Sequence, residues 1–142
     1  MSTANLEHVN LTVSDLDRSL RFVQAALPDW RVRGQGRMDW FGKPIQWLHV
    51  GSDDVYLALQ SGGEGAAVDG QSHRTGVKHV GLVVSDLDAV VGRLTEAGFA
   101  LDHWGGASAY RRSAYFVEPG SVQFEFVEYL SHDPALRNHY AG

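Results

Sequence analysis

The chain has 142 residues, 44% of them hydrophobic and 20% charged, a balance that suits one globular domain with a real core. That balance, and the absence of any apolar run near the roughly 20 residues that span a bilayer, exclude a disordered or membrane-spanning chain. The net charge of −5, with 12 Lys+Arg against 17 Asp+Glu and no basic run, argues against a nucleic-acid partner.

The opening Met1-Ser2-Thr3-Ala4-Asn5 lacks the charged start and apolar stretch of a signal peptide, so a cytoplasmic protein is expected. There is no cysteine and there are 7 histidines. Any transition-metal site must therefore be built from imidazole and carboxylate.

The first predicted element is a strand over Leu6–Val13, where Val9, Leu11 and Val13 alternate with His8, Asn10 and Thr12. Ser14-x-x-Asp17 has the form of a capping box. It opens a helix whose stripe is Leu16, Leu20, Val23 and Leu27, ending near Pro28. Strands follow at roughly Arg31–Gly34, Pro44–Val50 and Asp54–Gln60, and then a polar, glycine-rich stretch over Ser61–Thr75.

The pattern then repeats. Residues 79–88 match residues 8–17 at eight of ten positions with a constant offset of 71, including the histidine. Ser85-x-x-Asp88 opens a second helix with Leu87, Val90, Val91 and Leu94 as its stripe and Gly98 as its stop. Strands are predicted at roughly Ala100–Trp104, Arg112–Val117 and Val122–Tyr129.

Each half thus reads βαβββ, and internal duplication is the simplest account. The expected fold is α+β: two such modules forming a curved, cup-like mixed sheet with helices on the outer face. Module one covers 1–62, a linker 63–76, module two 77–130, and a C-terminal tail 131–142.

Strand alternation places His8 opposite the apolar face of its strand, and the repeat places His79 at the equivalent position. Glu125 lies between Phe124 and Phe126 on the non-core side of the last strand, where strand propensity does not explain a carboxylate. Two imidazoles and one carboxylate form a facial triad with open positions for substrate or water. Imidazole and carboxylate suit Fe2+, Mn2+, Zn2+, Ni2+ or Co2+, and one such divalent ion is the expected cofactor.

His49 and Trp47 alternate with Leu48 and Val50, so they face the same side. His49 is a candidate general acid or base, and Tyr56 a candidate donor to a substrate oxygen. Trp40, Trp47 and Trp104 are candidates for an aromatic wall. Arg111 and Arg112 are candidates for steering an anionic substrate, with exposed turn residues the default reading.

Several segments together resemble the vicinal-oxygen-chelate superfamily of glyoxalases, extradiol dioxygenases, fosfomycin-resistance thiol transferases and bleomycin-resistance proteins. They are Leu6-Glu7-His8-Val9, Val77-Lys78-His79-Val80, both Ser-Asp-Leu-Asp helix starts, and Tyr115-Phe116-Val117-Glu118-Pro119-Gly120 leading to Glu125. The resemblance covers nearly the whole chain and implies His8, His79 and Glu125 as metal ligands. The family's turn carries Asp where this chain has Glu118, but Glu125 keeps its six-residue distance from Pro119.

Glyoxalase I-like members draw a second carboxylate from the first half. Aligning Val55–Ala58 with Val122–Glu125 puts Ala58 there, with Gln60 as a candidate replacement on the same face. The resemblance therefore implies an enzyme acting on a small substrate that chelates the metal through adjacent oxygens, with extradiol-type dioxygenation the first choice. A glyoxalase-like lyase or isomerase, a thiol transferase, and a protein that sequesters a small aromatic ligand are the alternatives. A homodimer is expected.

Overall fold

A computed structural model describes residues 2–67, 69–106, 108–118 and 121–140. The Pro119-Gly120 turn lies outside them. The chain divides into two compact units, Met1–Ala67 with Pro119–Ser121, and Val68–Glu118 with Val122–Gly142.

Unit one contains β1 (His8–Thr12), α1 (Leu16–Ala26), β2 (Arg31–Trp40), β3 (Lys43–Gly51) and β4 (Tyr56–Gln60). Unit two contains β5 (His79–Val83), α2 (Leu87–Glu96), β6 (Leu101–Trp104), β7 (Arg111–Val117), β8 (Gln123–Tyr129) and a short α3 (Pro134–Arg137). Each unit is βαβββ. The strand orders are β1-β4-β3-β2 and β5-β8-β7-β6, and in each sheet the first strand runs parallel to the last. The α+β architecture with two βαβββ modules is what the repeat implies. No described helix is long and apolar enough to cross a membrane.

Each helix packs on its own sheet. α1 meets β3 and β4 through Phe22, Val23 and Ala26, with Ser19 also buried. The buried stripe is thus rotated from the expected one, and Leu16 and Leu20 are only half-buried. α2 meets β7 and β8 through Leu87, Val90 and Leu94. It stops at Gly98, whose φ of +93° is the left-handed conformation that glycine adopts freely.

Both capping boxes need correction. The N-caps are Asp15 and Asp86, whose carboxylates accept from Arg18 N and Ala89 N. The serine and the aspartate beside it are both good caps, and the backbone geometry selects the second. Asp88 is thereby free to pair with Arg112, at 2.9 and 3.2 Å.

β2 also runs well past Gly34. Gly34 and Gly36 look like strand breakers, yet both lie against the Trp47 indole, and a Cβ at Gly36 would come within 3.1 Å of it. The glycines admit a large side chain from the neighbouring strand, as strand glycines often do. β2 and β3 close through a two-residue turn in which Phe41 (φ +48°) and Gly42 (φ +88°) are both left-handed, the requirement of a tight hairpin.

Candidate functional site

In unit two, β5 carries His79 and β8 carries Glu125. Glu125 is 8% exposed and sits between the buried Phe124 and Phe126. His79 Nε2 lies 3.3 Å from Glu125 Oε1, while Arg111 donates to Glu125 Oε2 at 3.0 Å. The two carboxylate oxygens thus have different neighbours.

Tyr115 stands directly across from Glu125 on β7. Burial raises the Tyr115 pKa above its ordinary value, helped by a hydrogen bond and the negative charge of Glu125. Its ring meets His79 edge-on at 5.5 Å and stacks on His103 at 4.4 Å. His103 Nδ1 in turn lies 2.5 Å from Asp102 Oδ2.

In unit one, His8 pairs in register with Tyr56. Their rings stack at 4.8 Å, Tyr56 stacks on His49 at 4.6 Å, and His49 meets Trp47 at 5.0 Å. A ladder of rings thus crosses three strands. Glu7 Oε1 holds His8 Nδ1 at 2.8 Å, and the Arg33 guanidinium lies 4.3 Å over the Tyr56 ring. Desolvation lowers the His49 pKa from its usual 6.5, with the nearby His8 and Arg33 acting in the same direction, so His49 is neutral at neutral pH.

Beside this ladder is a pocket of about 210 Å³, where Trp47, Trp40, Met38, Asn10, Gln60 and Ala58 join His49 in the lining. Trp104 lies in unit two instead, under Arg112 at 5.6 Å.

Strand register tests the internal alignment. Two residues after its histidine, β1 places Asn10 opposite Ala58, and β5 places Gly81 opposite Glu125. Ala58 is therefore the structural counterpart of Glu125. Gln60 is buried on the same face and lines the pocket.

The donor chemistry in unit two fits a divalent ion. With ligand bonds of about 2.1 Å, neighbouring donor atoms stand about 3.0–3.4 Å apart, which spans the 3.3 Å between His79 Nε2 and Glu125 Oε1. Arg111 occupies only the other oxygen, the kind of support that ligating carboxylates usually receive. Among the described residues no group of three or more His, Asp or Glu side chains is gathered closely enough to hold a metal. His79 and Glu125 lie in unit two, and His8 lies in unit one.

Three features escaped sequence reasoning. Arg111, expected just before a strand that starts at Arg112, is the first residue of β7 and the partner of Glu125. Tyr115 and His103 join the Glu125 cluster. Alternation on 111–117 does put Tyr115 on one face with Arg111 and Ser113, but only the register with β8 shows which residue they meet.

Residues 7–116 match the family described as the Glyoxalase/Bleomycin resistance protein/Dioxygenase superfamily. The chain has no match among curated proteins. A glyoxylase/bleomycin resistance protein/dioxygenase domain from Frankia sp. EAN1pec is 26% identical, with a TM-score of 0.71 over 90% of this chain and 99% of that one. A mutant of the fosfomycin resistance protein FosX from Listeria monocytogenes, complexed with Mn(II) and 1S,2S-dihydroxypropylphosphonic acid, is 16% identical. Its TM-score is 0.66 over 88% of this chain and 92% of that one. The trypanothione-dependent glyoxalase I of Leishmania major is 20% identical, with a TM-score of 0.62 over 89% and 87%.

The last two likenesses are of fold alone. The family match spans most of the chain and includes both histidine strands, and on that ground the chain belongs to the Glyoxalase/Bleomycin resistance protein/Dioxygenase superfamily.

Proposed function

We propose that the chain is a metal-dependent enzyme acting on a small molecule with two adjacent oxygens, and that His8, His79 and Glu125 hold one divalent ion. The observation that carries this reading is the His79–Glu125 pair, a buried carboxylate with one oxygen braced by Arg111 and the other turned to an imidazole nitrogen. A divalent ion bound there supplies a Lewis acid that polarises the substrate oxygens. Arg111 fixes the carboxylate, His49 in its neutral form accepts a substrate proton, and the Tyr56 hydroxyl donates to a substrate oxygen.

Extradiol-type ring cleavage is our first choice of reaction, and lyase, isomerase or thiol-transfer chemistry comes next. The Mn(II) complex of the Listeria protein makes Mn2+ a natural first ion to test beside Fe2+, Zn2+, Ni2+ and Co2+. The expected assembly is a homodimer, which analytical ultracentrifugation checks.

Metal analysis of purified protein tests the ligand set. One ion per chain is expected in the parent, and strong depletion in each of His8→Ala, His79→Ala and Glu125→Ala. Full occupancy in all three variants would refute the site. An anaerobically reconstituted substrate panel then separates the reaction classes.

The Trp40–Trp47–Met38 lining of the unit-one pocket supports a second reading, a protein that sequesters a flat aromatic ligand. In that case ligand affinity survives both chelation and His79→Ala.

A further inference from the structure

The C-terminal segment builds a cleft that the reading above does not use. Asp133 caps α3 by accepting from Ala135 N, and the helix carries Arg137 to 4.3 Å over the Tyr129 ring of β8. Arg111 lies 5.8 Å over the same ring. The two guanidinium groups share one phenol ring.

Between them opens a cleft of about 430 Å³ lined by Ser108, Tyr110, Arg111, Arg137, His139 and Tyr140. Among the described residues, no Asp or Glu belongs to the lining. Arg111 already serves Glu125, whereas Arg137 makes no ion pair among the described residues. His139 meets the Tyr110 ring edge-on at 5.6 Å.

Arg137, which has no carboxylate partner among the described residues, stands with Arg111 beside three hydroxyl side chains, a donor set that suits a small oxyanion. A flat or apolar ligand would leave these donors unmatched. We propose that the cleft binds the oxyanion group, a carboxylate or a phosphate ester, of a small acidic molecule, with Arg137 as the principal contact. Arg111 lines the cleft and also holds Glu125, so it links the bound anion to the His79–Glu125 pair. The proposal does not rest on metal binding, and its test is made in chelator.

The probes are inorganic phosphate and acetate, each titrated at constant ionic strength into the metal-free full chain and followed by NMR. Saturable shifts are expected for Tyr110, Arg137, His139 and Tyr140, with the stronger anion identifying a phosphate or a carboxylate ligand class. In Arg137→Gln, an exposed position where folding is not at stake, binding should weaken at least about tenfold through loss of a charge-assisted contact. Shifts that never saturate, or a Kd unchanged in Arg137→Gln, would overturn the proposal. Either result leaves the metal-content experiment untouched.

Discussion

Removing the Glu125 carboxylate separates two energies that the structure combines. Glu125 is 8% exposed and pairs with Arg111, whose side chain keeps 35% of its surface in water. Breaking a fully buried pair costs about 3–5 kcal/mol, and the water that Arg111 retains reduces this to about 1–2 kcal/mol for Glu125→Ala. At this chain length roughly 3–4 °C of melting temperature corresponds to each kcal/mol, so calorimetry in chelator should show a fall of about 3–8 °C.

Glu125→Gln keeps the shape and one acceptor and should fall less. The second energy appears on adding metal. An ion present at about 100 times its Kd stabilises the folded chain by about 2.7 kcal/mol, a rise of about 8–11 °C in the parent. Both variants should lose most of that rise. An undiminished metal-induced rise in Glu125→Ala and Glu125→Gln would refute Glu125 as a ligand, whatever happens in chelator.

Four further outcomes are expected. Asp86→Ala should cost about 1 kcal/mol in denaturant unfolding through loss of a helix cap, while Ser85→Ala should be nearly neutral. Gly36→Ala forces the Trp47 indole, 3.1 Å from the new Cβ, to shift, so a cost of about 1–3 kcal/mol and a change in tryptophan emission are expected. Because the His49 pKa is lowered on folding, the unfolded chain binds its proton more readily. That contribution is fully present above the ordinary value of 6.5 and is lost as pH falls through the folded pKa. His49→Gln should therefore flatten stability against pH below about 6.5 in metal-free protein. Ala58→Glu would bury an unpaired carboxylate, and a destabilisation of more than about 2 kcal/mol is expected by chemical unfolding.

Much of the architecture was legible because strand alternation is local. Two residues per period decided that His8, Asn10, Trp47, His49 and Glu125 lie off the helix-packed face, and the repeat decided that the halves share a topology. Register between strands is not local. That Arg111 ends beside Glu125, or that Gly36 makes room for Trp47, follows from which residues of two strands are opposed, and no pattern within either strand carries it.

The helix caps failed for a different reason. Ser14 and Asp15, like Ser85 and Asp86, are neighbouring residues of similar capping power, so sequence alone leaves the helix start open by one residue.

The strand registers also explain why the duplication is unequal. Tyr115 faces Glu125 as His49 faces Ala58. Counting back four residues along each strand, Ile45 stands where unit two has Arg111. Unit one therefore lacks both members of the pair, the carboxylate and the arginine that braces it. Burial makes that double difference coherent. A lone carboxylate at position 58 would lack the brace that Arg111 gives Glu125, and a lone arginine at position 45, where Ile45 is 5% exposed, would be a charge buried without that partner. With both absent, Ala58 leaves space that Trp47, Gln60 and a neutral His49 line without a formal charge. The same fold thus carries an uncharged, aromatic recess in one unit and a braced carboxylate–imidazole pair in the other.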